Sequence, residues 1–171
     1  AEREGVFIAN YNCPGQLVIT GVRSAVEEAA EALRASGARR TVMLNVSGPF
    51  HSPLLAGAAE ELERELLQTP FSDPDIPYIT NVTAQPVTEK EPIRALLAQQ
   101  ICAPVRWMQS MQRMLADGVD TFVEIGAGKT LTGFLRKLDR NVNVYPVTTW
   151  EEAQAVIAKL EVGNKKLWRS A

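Results

Sequence analysis

Two β-rich apolar runs open the chain. GVFIANYN covers Gly5 to Asn12 and QLVITG covers Gln16 to Gly21, with CPG between them. That pattern predicts a strand, a turn and a second strand. The period then lengthens. Val26, Ala29, Ala30 and Leu33 form one apolar stripe, so a helix is predicted, capped by Ser24 with Glu27 completing a capping box and stopped at Gly37. TVMLNVS, Thr41 to Ser47, reads as the next strand. Strand, strand, helix, strand in so short a space suggests part of a small α+β subdomain of ferredoxin-like type.

Beyond His51 the pattern changes. Ser52 and Pro53 suit the cap and first position of a helix, followed by Leu54, Leu55, Ala58, Ala59, Leu62 and Leu66 at helical spacing. FSDPDIP reads as a loop, YITNVT as a short strand and AQPVTEKEP as another loop. IRALLAQQI is a predicted helix, and PVRWMQSMQRMLADG a second, entered at Pro104 and stopped at Gly118. DTFVEIG (strand), KTLTGFLRKL (helix), VNVYPV (strand) and WEEAQAVIAKL (helix) follow. Such alternation predicts an α/β architecture with a parallel sheet covered on both faces. EVGNKKLWRS and beyond reads as a tail, and AEREG as the last turn of a helix ending at Gly5. With no initiator Met, the chain is expected to be a fragment.

Composition narrows the classes. The 171 residues are 46% hydrophobic and 22% charged, with net charge −2, a globular balance large enough to bury a core. No basic stripe points to nucleic acid. Cys13 and Cys102 lie far apart and form no CxxC, which suits a reducing compartment and structural thiols. One His and two scattered Cys make a metal site an unfavoured expectation. No apolar run approaches the roughly 18 residues of a membrane helix, and AEREGVF lacks the apolar core of a signal peptide. The expected location is cytoplasmic.

Two stretches invite a chemical reading. EIGAGKTL imitates a phosphate-binding loop, but the position that needs the first glycine is Val123, leaving only Gly126 and Gly128. A dinucleotide fingerprint fails too, because Leu131 stands where the third glycine belongs. A tight strand-to-helix turn is the better reading. The other stretch is NVSGPFHSPLL, which holds the only histidine, His51. It is predicted at the carboxyl end of a strand, where α/β sheets bind ligands. A following helix would aim its positive end at the ring and disfavour imidazolium, as suits a general base. A structural hydrogen-bonding role remains the alternative. No GxSxG elbow exists in the chain. Ser52 is better used as a helix cap, and Ser47 and Cys102 lack elbow context.

ANYNCPGQLVITG, VSGPFHSPL, QICAPVRW and EIGAGKTLTGFLRK occur in that order. Together they resemble the C-terminal half of the malonyl-CoA:acyl carrier protein transacylases of bacterial fatty-acid synthesis. The related acyltransferase domains of polyketide synthases share that fold. The resemblance covers roughly Gly5 to Leu160. It implies part of a ferredoxin-like small subdomain over residues 1–48, the C-terminal portion of an α/β-hydrolase-like large subdomain over 49–160, and a tail over 161–171. It implies that His51 is the general base and that Gln100 orients the imidazole through its backbone carbonyl. Asn12 matches a residue near the active-site entrance, and Gln16 matches one whose role stays open. Phe50 matches a position where Phe accompanies malonyl and Ser accompanies methylmalonyl. The implied partners are malonyl-CoA and acyl carrier protein, with no cofactor. Carrier proteins are acidic, so Arg39 and Arg40 become docking candidates, with a solvated loop as the alternative. The GHSxG serine, the oxyanion-hole Gln and the carboxylate-binding Arg of the family are absent, so a missing N-terminal segment is expected to carry them. The chain alone is then expected to be inactive, and a non-catalytic carrier-protein-binding module of the same fold is the competing class.

Overall fold

The structure, a computed structural model, describes residues 4–164. The helical turn expected over AEREG and the end of the expected tail lie largely outside the described residues. The chain separates into two compact units, 1–113 and 114–171.

In the first unit, β1 (Val6–Cys13) pairs antiparallel with β2 (Gln16–Gly21) as predicted. α1 (Arg23–Ala35) follows and buries Val26, Ala29 and Ala30 of the predicted stripe. The predicted capping box does not form. The helix begins two residues early, with Val22 at the N-cap and no side-chain cap. Ser24 therefore falls inside the first turn, and Glu27 accepts instead from Arg23 at 3.0 Å. The C-terminal signal does hold. Gly37 takes φ +95°, and the amides of Gly37 and Ala38 reach back to the carbonyls of Arg34 and Leu33. This is the glycine-terminated closure that uses up a helix's last carbonyls.

The strand predicted over Thr41–Ser47 is not one. Val42, Met43, Leu44 and Val46 are all more than half exposed. β propensity expresses itself only against a neighbouring strand, and no described segment supplies that neighbour here. A single 3-10 turn, Pro53–Leu55, then leads into α2 (Ala56–Leu66). α2 packs along α3 (Ile93–Cys102). Between these helices β3 (Tyr78–Ile79) pairs antiparallel with β4 (Pro86–Val87), so the second predicted loop contains a short strand. α4 (Trp107–Ala116) starts three residues after Pro104. Val105 is held extended instead: it donates to the Ala9 carbonyl at 2.7 Å and accepts from the Tyr11 amide at 2.9 Å.

In the second unit, β5 (Thr121–Ile125) and β6 (Asn143–Val147) form the predicted parallel pair, with α5 (Thr130–Leu138) as their crossover. The pair is the whole sheet among the described residues, and it is not covered on both faces: Ile125 is 82% exposed. α6 (Trp150–Asn164) runs past the point where a tail was expected. Its start is a true capping box. The Thr149 hydroxyl accepts from the Glu152 amide, and the Glu152 carboxylate accepts from the amides of Thr148 and Thr149.

Candidate functional site

The site begins with a missing donor. In an α-helix the carbonyl of residue i accepts from the amide of i+4, and the last four carbonyls have no such partner. For Gln100, in the last turn of α3, residue i+4 is Pro104, which has no N–H. The preceding carbonyl, of Gln99, is taken by the Ala103 amide at 2.8 Å. The Gln100 oxygen is left facing outward, and the imidazole of His51 takes it up: Nδ1 lies 2.9 Å away. A carbonyl can only accept. In the neutral ring Nδ1 therefore carries the hydrogen and Nε2 carries the free lone pair. The Gln100 side-chain nitrogen lies at 3.4 Å from the same Nδ1. It cannot donate to a nitrogen that is itself donating, so the backbone carbonyl is the acting partner.

His51 has φ +59°, one of only two described non-glycine residues with positive φ. Side chains other than glycine occupy that region at a cost, and single instances gather at functional sites. On either side of it the chain is unlike the predicted strand end and helix. Phe50 is about half exposed, with its ring lying beside Gly48. Ser52 is fully buried. Its hydroxyl makes no helix cap; it donates to the Pro49 carbonyl at 2.6 Å. The helical path begins as a 3-10 turn at Pro53, and the α-helix proper starts only at Ala56. The imidazole's backbone hydrogen-bond partner is the α3 carbonyl of Gln100.

The other candidates are placed less closely. Asn12 lies half-buried on β1, two residues past Asn10, which bridges Val105 just beyond α3. No hydrogen bond joins Asn12 to His51 or Gln100. Arg39 and Arg40 are exposed in the segment after α1. Cys13 is buried and Cys102 half-buried, both as free thiols. Among the described residues no helix is long and apolar enough to cross a membrane, and no three His, Cys, Asp or Glu side chains converge as metal ligands do.

The phosphate-loop imitation is answered by geometry. The free amides at the start of α5, those of Leu131 and Thr132, are taken by the carboxylate of Glu124 at 3.0 and 2.7 Å. A carboxylate from β5 thus fills the place an anion would occupy. Partial burial pushes the Glu124 carboxyl up, but the hydrogen bonds from Thr132 and Leu131 outweigh it and hold it below the ordinary range.

Residues 1–170 match the family described as the acyl transferase domain. The chain belongs to that family. Among similar proteins, the malonyl CoA-acyl carrier protein transacylase of Bacillus subtilis (strain 168) is 43% identical over 159 residues, 93% of this chain and 50% of its own length. That of Staphylococcus aureus (strain COL) is 38% identical over 85% of this chain and 47% of its own. The solved acyl-carrier-protein-S-malonyltransferase of Bartonella henselae superposes with a TM-score of 0.87 at 41% identity, covering 91% of this chain and 50% of that one. A structure of a type II PKS acyl-carrier protein in complex with its malonyl-transacylase gives 0.86 at 34% identity, covering 90% and 50%. This acyl transferase chain thus spans about half the length of the relatives it matches. Two features of the site went unread in the sequence. The Pro104 signal was present, as a proline four residues after Gln100. The buried donor role of Ser52 had none, since a Ser before Pro reads as a helix cap.

Proposed function

We propose that this chain is the C-terminal part of an acyltransferase that moves malonyl from coenzyme A to the phosphopantetheine thiol of acyl carrier protein. The supporting observation is the hydrogen bond between His51 Nδ1 and the Gln100 carbonyl. It does what an acidic residue does in a serine triad: it fixes the tautomer and leaves Nε2 free as base. The nucleophilic serine, with its GHSxG elbow, belongs to the part of the relatives this chain does not span.

The reaction is ping-pong. His51 Nε2 takes the serine proton as the oxygen attacks the malonyl thioester carbon. The tetrahedral intermediate collapses, the C–S bond breaks, and the proton on Nε2 goes to the departing thiolate of coenzyme A. The carrier thiol then gives its proton to Nε2 and attacks the acyl-serine. The Ser–acyl bond breaks, the serine regains the proton, and malonyl leaves on the carrier. Each intermediate needs an oxyanion hole, which the other half of the protein supplies. The likeness to a transacylase solved with a type II PKS carrier protein supports a second reading, in which the carrier serves polyketide synthesis; the chemistry at His51 is the same.

The subdomain assignment belongs to the same proposal: residues 1–48 to the small subdomain and 49–160 to the large one. Asn12 stands near the entrance and Phe50 walls the acyl pocket. The test is to co-express this chain with the N-terminal half of the Bacillus subtilis relative and add malonyl-CoA. Intact mass should show a malonyl adduct on the N-terminal half, passed on when holo carrier protein is added. A complex that assembles but never acquires the adduct leaves the non-catalytic binding module as the answer.

A further inference from the structure

We infer that Ser52 is a positioning residue for His51, acting through the backbone turn on which the histidine stands. Ser52 shows no exposed surface at all, although its neighbour Phe50 is half exposed. A hydroxyl in such a place must be bonded, and this one is: Oγ donates to the Pro49 carbonyl at 2.6 Å. In an ordinary β-turn the amide of the fourth residue reaches the carbonyl of the first. Here the hydroxyl of the fourth residue does so. The bond closes the four-residue loop Pro49-Phe50-His51-Ser52 with His51 inside it.

That closure has a conformational consequence. His51 sits at φ +59°, which a residue bearing a Cβ adopts only when its surroundings over-determine it. Two bonds over-determine it. The Ser52 hydroxyl ties the backbone on one side, and the Gln100 carbonyl ties the ring on the other. Without the hydroxyl the backbone of His51 is free to relax toward negative φ. The Cα–Cβ vector then turns, and the ring leaves the Gln100 oxygen. Ser52 thus controls which ring nitrogen carries the hydrogen without touching the ring. Its catalytic meaning rests on the reading of His51 as the base.

His51 is the only histidine in the chain, so its ring nitrogens can be observed directly. The experiment labels histidine with nitrogen-15 and records the imidazole signals at alkaline pH, where imidazoles are neutral. The parent should show one protonated nitrogen, Nδ1, and one bare nitrogen, Nε2. Ser52→Ala should bring the two signals toward each other as the tautomers mix. Ser52→Cys, similar in shape but a weaker donor, should fall between. In the assembled enzyme Ser52→Ala should lower kcat about 10- to 100-fold, the cost of a misplaced catalytic group, with the KM for malonyl-CoA unchanged. Ring signals identical to the parent in both variants overturn the inference, whatever the loss of thermal stability. Mixed tautomers with an unchanged kcat uphold the positioning of the ring and instead sink the assignment of His51 as base.

Discussion

The carbonyl oxygen of Gln100 lies 2.9 Å from Nδ1 of His51, across 49 positions of sequence. The acceptor belongs to the backbone, so it survives any change of the Gln100 side chain. The donor does not survive a change of His51. In the assembled enzyme His51→Ala should lower kcat/KM by about 10²–10⁴, the usual worth of a general base. Gln100→Ala should cost less than about tenfold, since the carbonyl remains. Steady-state malonyl transfer to carrier protein measures both. Equal losses from the two variants would mean that the side chain of Gln100, not its carbonyl, holds the ring.

Phe50 precedes His51 and leaves half its surface open. If its ring walls the acyl pocket, it denies space to an α-methyl. Phe50→Ser should raise the kcat/KM ratio for methylmalonyl-CoA over malonyl-CoA, within the roughly 1–3 kcal/mol that one methyl commands in a pocket. Competition assays with both thioesters read the ratio directly. No change would place Phe50 outside the pocket.

Arg39 and Arg40 are exposed together beyond α1. Exposed charges govern association more than chemistry. Reversing both to Glu should raise the KM for carrier protein several-fold and leave the KM for malonyl-CoA alone, with the difference fading at high salt. A parallel rise in both constants would return the pair to the role of a solvated loop.

Glu124 caps α5 as a carboxylate held below its ordinary range. A depressed folded-state value means that the charge stabilises the fold above the ordinary glutamate value and stops doing so as pH falls through the depressed one. Glu124→Gln should therefore cost about 1 kcal/mol at neutral pH, the worth of a helix cap, and the gap to the parent should close in acid. Urea melts at neutral pH and near pH 3 test this, where Glu carboxyls of ordinary value, about 4.3, are already protonated. A gap independent of pH would show that shape, not charge, is what Glu124 contributes.

Gly21 closes β2 at φ +142°, and a Cβ there would stand 1.9 Å from the Gly5 carbonyl oxygen. Backbone atoms cannot swing aside as a side chain can. Gly21→Ala should cost about 1–3 kcal/mol from the dihedral alone, with the clash in addition, and thermal unfolding should show a drop of several degrees. An unchanged midpoint would mean that β1 and β2 can part at that end without loss.

Local pattern was a good guide wherever local bonds decide the outcome. The helices follow their apolar periods, and α1 ends at the glycine its sequence offers, because i to i+4 bonds and a positive-φ closure need nothing from afar. Caps were less readable. Ser24 with Glu27 and Thr149 with Glu152 present the same spacing, yet only the second pair caps a helix. A two-residue difference in where α1 begins, at Val22 rather than Ser24, decides that.

The sequence by itself determined the helices, the β1–β2 hairpin, the parallel β5–α5–β6 unit and, through four motifs in register, the likeness to the acyl transferases. It could not decide what lies beside each strand. Thr41–Ser47 has every strand propensity and no ladder, because a strand's bonds are made to other parts of the chain. The local pattern did not bring His51 to Gln100 either; only the family likeness implied that pairing. Pro104 left a carbonyl without a helical donor, which is a local fact, but which distant group would claim that oxygen depended on α2 packing along α3. Tertiary structure made that choice, since an unpaired carbonyl specifies a need for a donor and by itself says nothing of where the donor comes from.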